Sequence, residues 1–135
     1  MVSDLSDLQL AIMRVLWDKS EASAAQVQRA LGRTRKLAIT TVSTLLVRLE
    51  KKGVISHRSE GRTFVYRPRV SELEMRRRTI SSVITNLFRG NPSEVVGQIL
   101  SERDVSAEDL ARMRKLIQDA RAAERKKKSR QADAR

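Results

Sequence analysis

The sequence predicts a mainly α fold with a small two-stranded β wing, and three observations predict it. Apolar residues recur at three- and four-residue steps in six separate stretches, the period of helices that bury one face. Only residues 54–67 break that period, with two short β-prone runs on either side of Ser59-Glu60-Gly61. Hydrophobic residues make up 40% of the chain but aromatics only 3%, so the core is built from Leu, Ile, Val and Ala. At 135 residues the chain fits one compact domain, or a small one with an appendage.

The first helix is expected over residues 7–17, where Leu8, Ile12, Val15 and Leu16 form one stripe. Ser6 can cap it, and Asp7 sits in the first turn, where the helix dipole favours a carboxylate. Trp17, the only tryptophan, reads as a core or lid residue. A second helix starts at Ser23, with Gln26 three residues on, a capping box in which each side chain satisfies a backbone amide. Ala24, Val27, Ala30 and Leu31 supply its buried face, and Gly32 ends it.

The third helix, residues 38–52, carries the most information. Val42, Leu45, Leu46 and Leu49 make its apolar stripe, and the opposite face holds Thr40, Thr41, Ser43, Thr44 and Arg48. Solvent-facing helices more often carry paired Glu and Lys. Short hydroxyl side chains let a helix approach base edges closely, and they can donate or accept there. The bland alternative is a weakly helical, β-branched surface.

Gly53 stops this helix, and residues 54–58 and 62–67 follow as strands closed by Pro68. Phe64 and Tyr66 share one face of the ribbon, Thr63 and Val65 the other. A ribbon directly after such a helix completes a winged helix-turn-helix. Arg58, Arg62 and Thr63 then stand beside the wing tip, where a wing reaches phosphates or the minor groove. His57, the single histidine, has no metal or catalytic partner in the sequence and reads as structural or phosphate-facing.

Three more helices follow. Leu73, Ile80, Val83, Ile84, Leu87 and Phe88 line one side of residues 71–89, and Gly90 ends them. Asn91-Pro92-Ser93-Glu94 supplies a cap, a proline at the first helical position and an acid at the third. Val95, Val96, Ile99 and Leu100 come next, and Ser106 opens a last helix with Leu110, Met113, Leu116, Ile117 and Ala120. These helices are too short and too apolar to bury their stripes on each other. They read as a dimerisation region through Val83, Leu87, Ile99, Leu110, Met113, Leu116 and Ile117, the alternative being a monomeric bundle folded back on the winged helix.

Charge divides the chain the same way. Thirteen basic and six acidic residues leave residues 1–70 at +7, eight of each cancel in 71–120, and seven against two leave 121–135 at +5. A basic first half suits a phosphate backbone, because each neutralised phosphate releases counterions; a merely solvated basic surface is the alternative. The organisation expected is a DNA-binding domain at 1–70, a helical dimerisation region at 71–120 and a basic, disordered tail at 121–135. The tail either adds non-specific DNA affinity or is only a solvated terminus.

Catalysis finds no footing. The chain has no cysteine and one histidine, no glycine-rich phosphate motif and no paired carboxylates in an apolar setting. No enzyme activity, cofactor, metal or small-molecule ligand is expected. No run approaches the ~18 apolar residues of a membrane span, and no signal peptide is visible, so a cytoplasmic protein is expected.

Four stretches together resemble the penicillinase repressors of the BlaI/MecI type, a family that also includes copper-responsive repressors. They are LSDLQLAIMRVLW at 5–17, ITTVSTLLVRLEKKGVIS at 39–56, EGRTFVYRP at 60–68 and VSELE at 70–74, within a likeness that runs from about Leu5 to Ala120. The resemblance implies a transcriptional repressor that binds an inverted-repeat operator in double-stranded DNA as a homodimer. Carried over by position, Thr40, Thr41, Ser43, Thr44 and Arg48 would face the bases. β-Lactam-responsive members open this helix with Ser-Pro-Lys-Thr, whereas this chain has Ala38-Ile39-Thr40-Thr41. The capping hydroxyl and the lysine are missing, and Arg33, Arg35 and Lys36 in the preceding loop are expected to restore part of the phosphate attraction.

Regulation departs further. Copper-responsive members use paired cysteines near the C-terminus, absent here. Antibiotic-responsive members are cut at an Asn-Phe bond by the route of a membrane-bound sensor-protease. By spacing, that bond falls here at Gln98-Ile99, so a protease partner would need a different specificity. The competing reading of the whole chain is a nucleoid or architectural DNA-binding protein with little sequence preference.

Overall fold

A computed structural model describes residues 5–32 and 34–134. The order is α1 (Asp7–Lys19), β1 (Ala22–Ser23), α2 (Ala24–Leu31), α3 (Ile39–Lys51), β2 (Ile55–Glu60), β3 (Thr63–Pro68), α4 (Glu72–Asn86), α5 (Pro92–Glu102) and α6 (Ala107–Asp133). Two compact units divide the chain, the first ending at Gly90 and the second beginning at Asn91.

Serine caps start the helices where the sequence places them. The Ser6 hydroxyl accepts from the Gln9 amide at 3.2 Å, while Gln9 Oε1 accepts from the Ser6 amide at 3.0 Å. Ser23 and Gln26 repeat the exchange at 3.2 and 2.8 Å. Each box satisfies amides that the first helical turn leaves open. Ile12, Met13 and Leu16 of α1, Val27 and Leu31 of α2, and Val42, Leu45, Leu46 and Leu49 of α3 meet in one core with Val54, Ile55, Tyr66 and Met75. The buried face of α1 is turned relative to the expected stripe: Leu8 and Val15 only flank the core, while Gln9 and Met13 are buried.

The sheet has three strands, not two. Ala22 pairs with Tyr66 and Ser23 with Val65, placing β1 antiparallel to β3, whose other edge carries β2. Two residues show no period along the chain; β1 exists because the link from α1 to α2 runs beside the wing. The hairpin pairs Glu60 with Thr63, so its turn is the two residues Gly61-Arg62 where Ser59-Glu60-Gly61 was expected, with Gly61 at φ 61°, a conformation easily reached without a Cβ.

Helix α4 belongs to the first unit. Met75 is buried in its core, and Trp17 Nε1 donates to the Val70 carbonyl at 3.0 Å, tying α1 to the approach to α4. The compact unit therefore extends past residue 70, the boundary expected from charge. In the second unit, α6 runs on through the basic segment to Asp133, where a disordered tail was expected. Residues 121–133 are mostly Ala, Arg, Lys, Glu and Gln, the strongest helix formers, and Glu124 pairs with Lys128 one turn on. Neither α5 nor α6 contains a buried residue.

Candidate nucleic-acid interface

Helix α3 is fixed by its buried stripe, and that fixes what it presents. Opposite Val42, Leu45, Leu46 and Leu49, the residues Thr40, Thr44, Val47 and Lys51 follow at four-, three- and four-residue steps, all exposed. Thr41 and Arg48 flank this line on one side and Ser43 on the other. Thr40, Thr41, Thr44 and Arg48 line one shallow depression. The Thr44 hydroxyl donates to the Thr40 carbonyl at 2.9 Å, which leaves its oxygen as an acceptor, the complement of an adenine or cytosine amino group in the major groove.

A second depression joins the end of α3 to the start of α1, lined by Arg48, Lys51 and Lys52 with Ser6 and Gln9. Lys52 Nζ donates to Gln9 Oε1 at 3.4 Å. This cationic corner suits a phosphate beside the groove that α3 would enter. The sequence reading missed Lys51 and Lys52; the signal was there, since Lys51 continues the line of Thr44 at seven residues.

In the α2–α3 connection, Arg35 and Lys36 are exposed, and Gln28 Nε2 holds the segment by donating to the Leu37 carbonyl at 2.9 Å. Arg33 lies outside the described residues. Ala38 caps α3 without a side-chain bond.

At the wing, Arg62 and Thr63 are exposed at and beside the turn. Arg58 differs from the expectation of a phosphate contact. Its guanidinium grips Glu21 through two nitrogens, at 2.5 and 2.9 Å, and also reaches Glu60 at 2.7 Å. It fastens the wing to the α1–β1 link instead of offering a free cation. The hydrogen bonds from Arg58 hold the Glu21 carboxyl below its ordinary range, and those carboxylates raise the guanidinium in turn. A depressed carboxyl pKa means the clamp is complete above the usual carboxylate range and is lost as pH falls through the lowered value.

His57 is structural. Its Nδ1 lies 2.5 Å from Glu50 Oε1 at the end of α3, and its ring stacks on Phe64 at a centroid distance of 4.3 Å. Burial, with the negative Glu50 nearby, pushes the Tyr66 phenol up. Glu50 is the sole carboxylate of α3, and it is held against His57 at the end of the helix. Among the described residues no acidic, histidine or cysteine cluster could hold a metal, and no helix is long and apolar enough to cross a membrane.

The residues expected at a dimer interface are solvent-facing or half-buried. In the first unit, Leu87 is 72% exposed, and Val83 lines an apolar groove with Leu10, Trp17, Met75 and Ile80. In the second, Leu110, Met113 and Ile117 line a groove with Val96 and Leu100. Leu116, 64% exposed, and Ile99 stand outside that groove. Gln98 and Ile99, the expected cleavage position, are exposed within α5.

The family model described as penicillinase repressor matches residues 5–119. The penicillinase repressor of Bacillus licheniformis is 28% identical over 118 residues, 87% of this chain and 92% of that one. The solution structure of the DNA-binding domain of the repressor BlaI is 36% identical, with a TM-score of 0.49, over 55% of this chain and 90% of that chain. The hsRosR-S4 complex covers 90% of this chain and 94% of its own at 18% identity and a TM-score of 0.54, a likeness of fold alone.

Proposed function

The chain belongs to the penicillinase repressor family and is a DNA-binding transcriptional repressor, and we propose that it acts as a homodimer on an inverted-repeat operator, reading bases with α3. The observation that carries the reading is the exposed face of α3: Thr40, Thr41, Ser43 and Thr44 with Arg48 and Lys51 around them, and its one carboxylate tied to His57. Hydroxyls suit base edges and cations suit the phosphates beside them, which an inward-facing carboxylate would repel. The uncovered apolar side chains of α5 and α6 supply the argument for a second copy, since a single recognition helix spans few base pairs and paired half-sites supply the rest.

Selection of bound duplexes, followed by a salt titration on the enriched and a random duplex, tests this. A repressor should favour its site by ~10³ or more; near-equal affinities would favour an architectural protein. Thr44→Ala should weaken the enriched site by about 1–3 kcal/mol and leave random DNA almost unchanged. An equal loss on both duplexes would remove Thr44 from base reading.

Arg35 and Arg62 are the phosphate contacts in this reading. Neutralising either as Gln should weaken both duplexes alike and make log affinity against log salt shallower by about 1. An unchanged slope would leave that arginine off the DNA.

Release by a membrane-bound sensor-protease at Gln98-Ile99, with the repressor in the cytoplasm, belongs to the same proposal. Both residues are exposed on α5, an element with no buried side chain, so local opening there would disturb no core of the chain itself.

A further inference from the structure

Three apolar side chains stand among the hydroxyls and cations of the interface. Ile39, Val47 and Phe64 are 41%, 47% and 48% exposed, and they line one cleft between α3 and the wing with Ser43, Arg62 and Thr63. Single exposed apolar residues are ordinary on a protein surface. Here three converge between the two elements proposed to touch DNA. Val47 is the most placed of them, on the mid-line of the exposed face, three residues after Thr44 and four before Lys51.

A valine can neither donate nor accept. Pressed on the polar edge of adenine, guanine or cytosine it would strip water from hydrogen-bonding atoms and return nothing. One group in the major groove rewards it, the C5 methyl of thymine. We propose that Val47 is a specificity-determining residue that reads the methyl of a thymine in each half-site, beside the base edge met by Thr44, with Ile39 and Phe64 as the apolar wall of the cleft. This rests on the reading of α3 as the recognition helix. Arg62 lines the cleft, Arg48 and Lys51 line the other depressions along α3, and these cations favour a polyanion over a protein partner.

The test begins with selection by the full chain from random duplexes. Failure to enrich any sequence would overturn the recognition reading and this one with it. On the enriched site, each thymine of the half-site is replaced singly by deoxyuridine, in both halves, which removes the methyl and keeps every hydrogen-bonding group. One position should weaken binding by about four-fold per half-site, the value of one buried methyl. Deoxyuridine also alters DNA stacking, so the same series is run on Val47→Ala, whose circular dichroism should match the parent because the side chain is exposed. At the sensitive position the penalty should shrink below about two-fold in that variant. A parent chain indifferent to every methyl, or a Val47→Ala chain that keeps the full penalty, would overturn the assignment to Val47 while the enriched site, and the repressor reading, still stood.

Discussion

A Leu116→Asp chain is expected to sediment as a monomer where the parent sediments as a dimer, with the first unit still folded. Leu116 lies on a helix that buries nothing, outside the groove lined by α5 and α6, and is largely exposed in the single chain. An aspartate there costs the isolated fold little. Covered by a second copy, the same carboxylate would lose its water without gaining a partner, and an uncompensated buried charge costs about 3–5 kcal/mol. Operator affinity should then fall far more than affinity for random DNA, because only the operator uses two half-sites at fixed spacing. Sedimentation and a gel shift on the same preparation decide it. A variant that stayed dimeric and bound its operator unchanged would move the interface away from α6, toward Val83 on α4 and Leu87 just past its end.

Leu46→Ala should have the opposite signature. Leu46 is fully buried in the first-unit core, between Thr44 and Val47 in sequence but on the far side of α3. Truncation should cost about 2–5 kcal/mol in a urea titration, a large share of the roughly 5–15 kcal/mol that holds a domain together. Enriched and random duplexes should both lose binding as α3 loses its seat. Thr44→Ala, two residues earlier, should leave the urea midpoint where it was. A Leu46→Ala chain as stable as the parent would mean that α3 is not held by its apolar stripe.

The contrast between those neighbours is what the sequence made readable. The serine caps at positions 6, 23 and 106, the stripe of α3 and its hydroxyl face all follow from spacing within a few residues, and the structure keeps them. What escaped depends on distant partners. Arg58 beside a wing tip looks like a phosphate contact until Glu21, 37 positions earlier, is brought against it. Strand β1 has meaning only opposite Tyr66 and Val65. Gln9 is buried because its amide oxygen serves both the Ser6 cap and Lys52, which no hydropathy pattern encodes. The basic end of α6 was misread for a different reason: charge suggested disorder, while propensity and an i,i+4 pair favoured helix.

Because α5 and α6 bury no residue of their own, the operator would be governed by a species whose abundance varies with the square of chain concentration. In the dilute regime, halving the chain leaves about a quarter of the dimer. A promoter under such control responds steeply to synthesis and turnover of its regulator, so modest proteolysis of α5 would produce a disproportionate rise in transcription. Dilution by cell growth would act in the same direction, giving the circuit a built-in gain that no contact with DNA supplies.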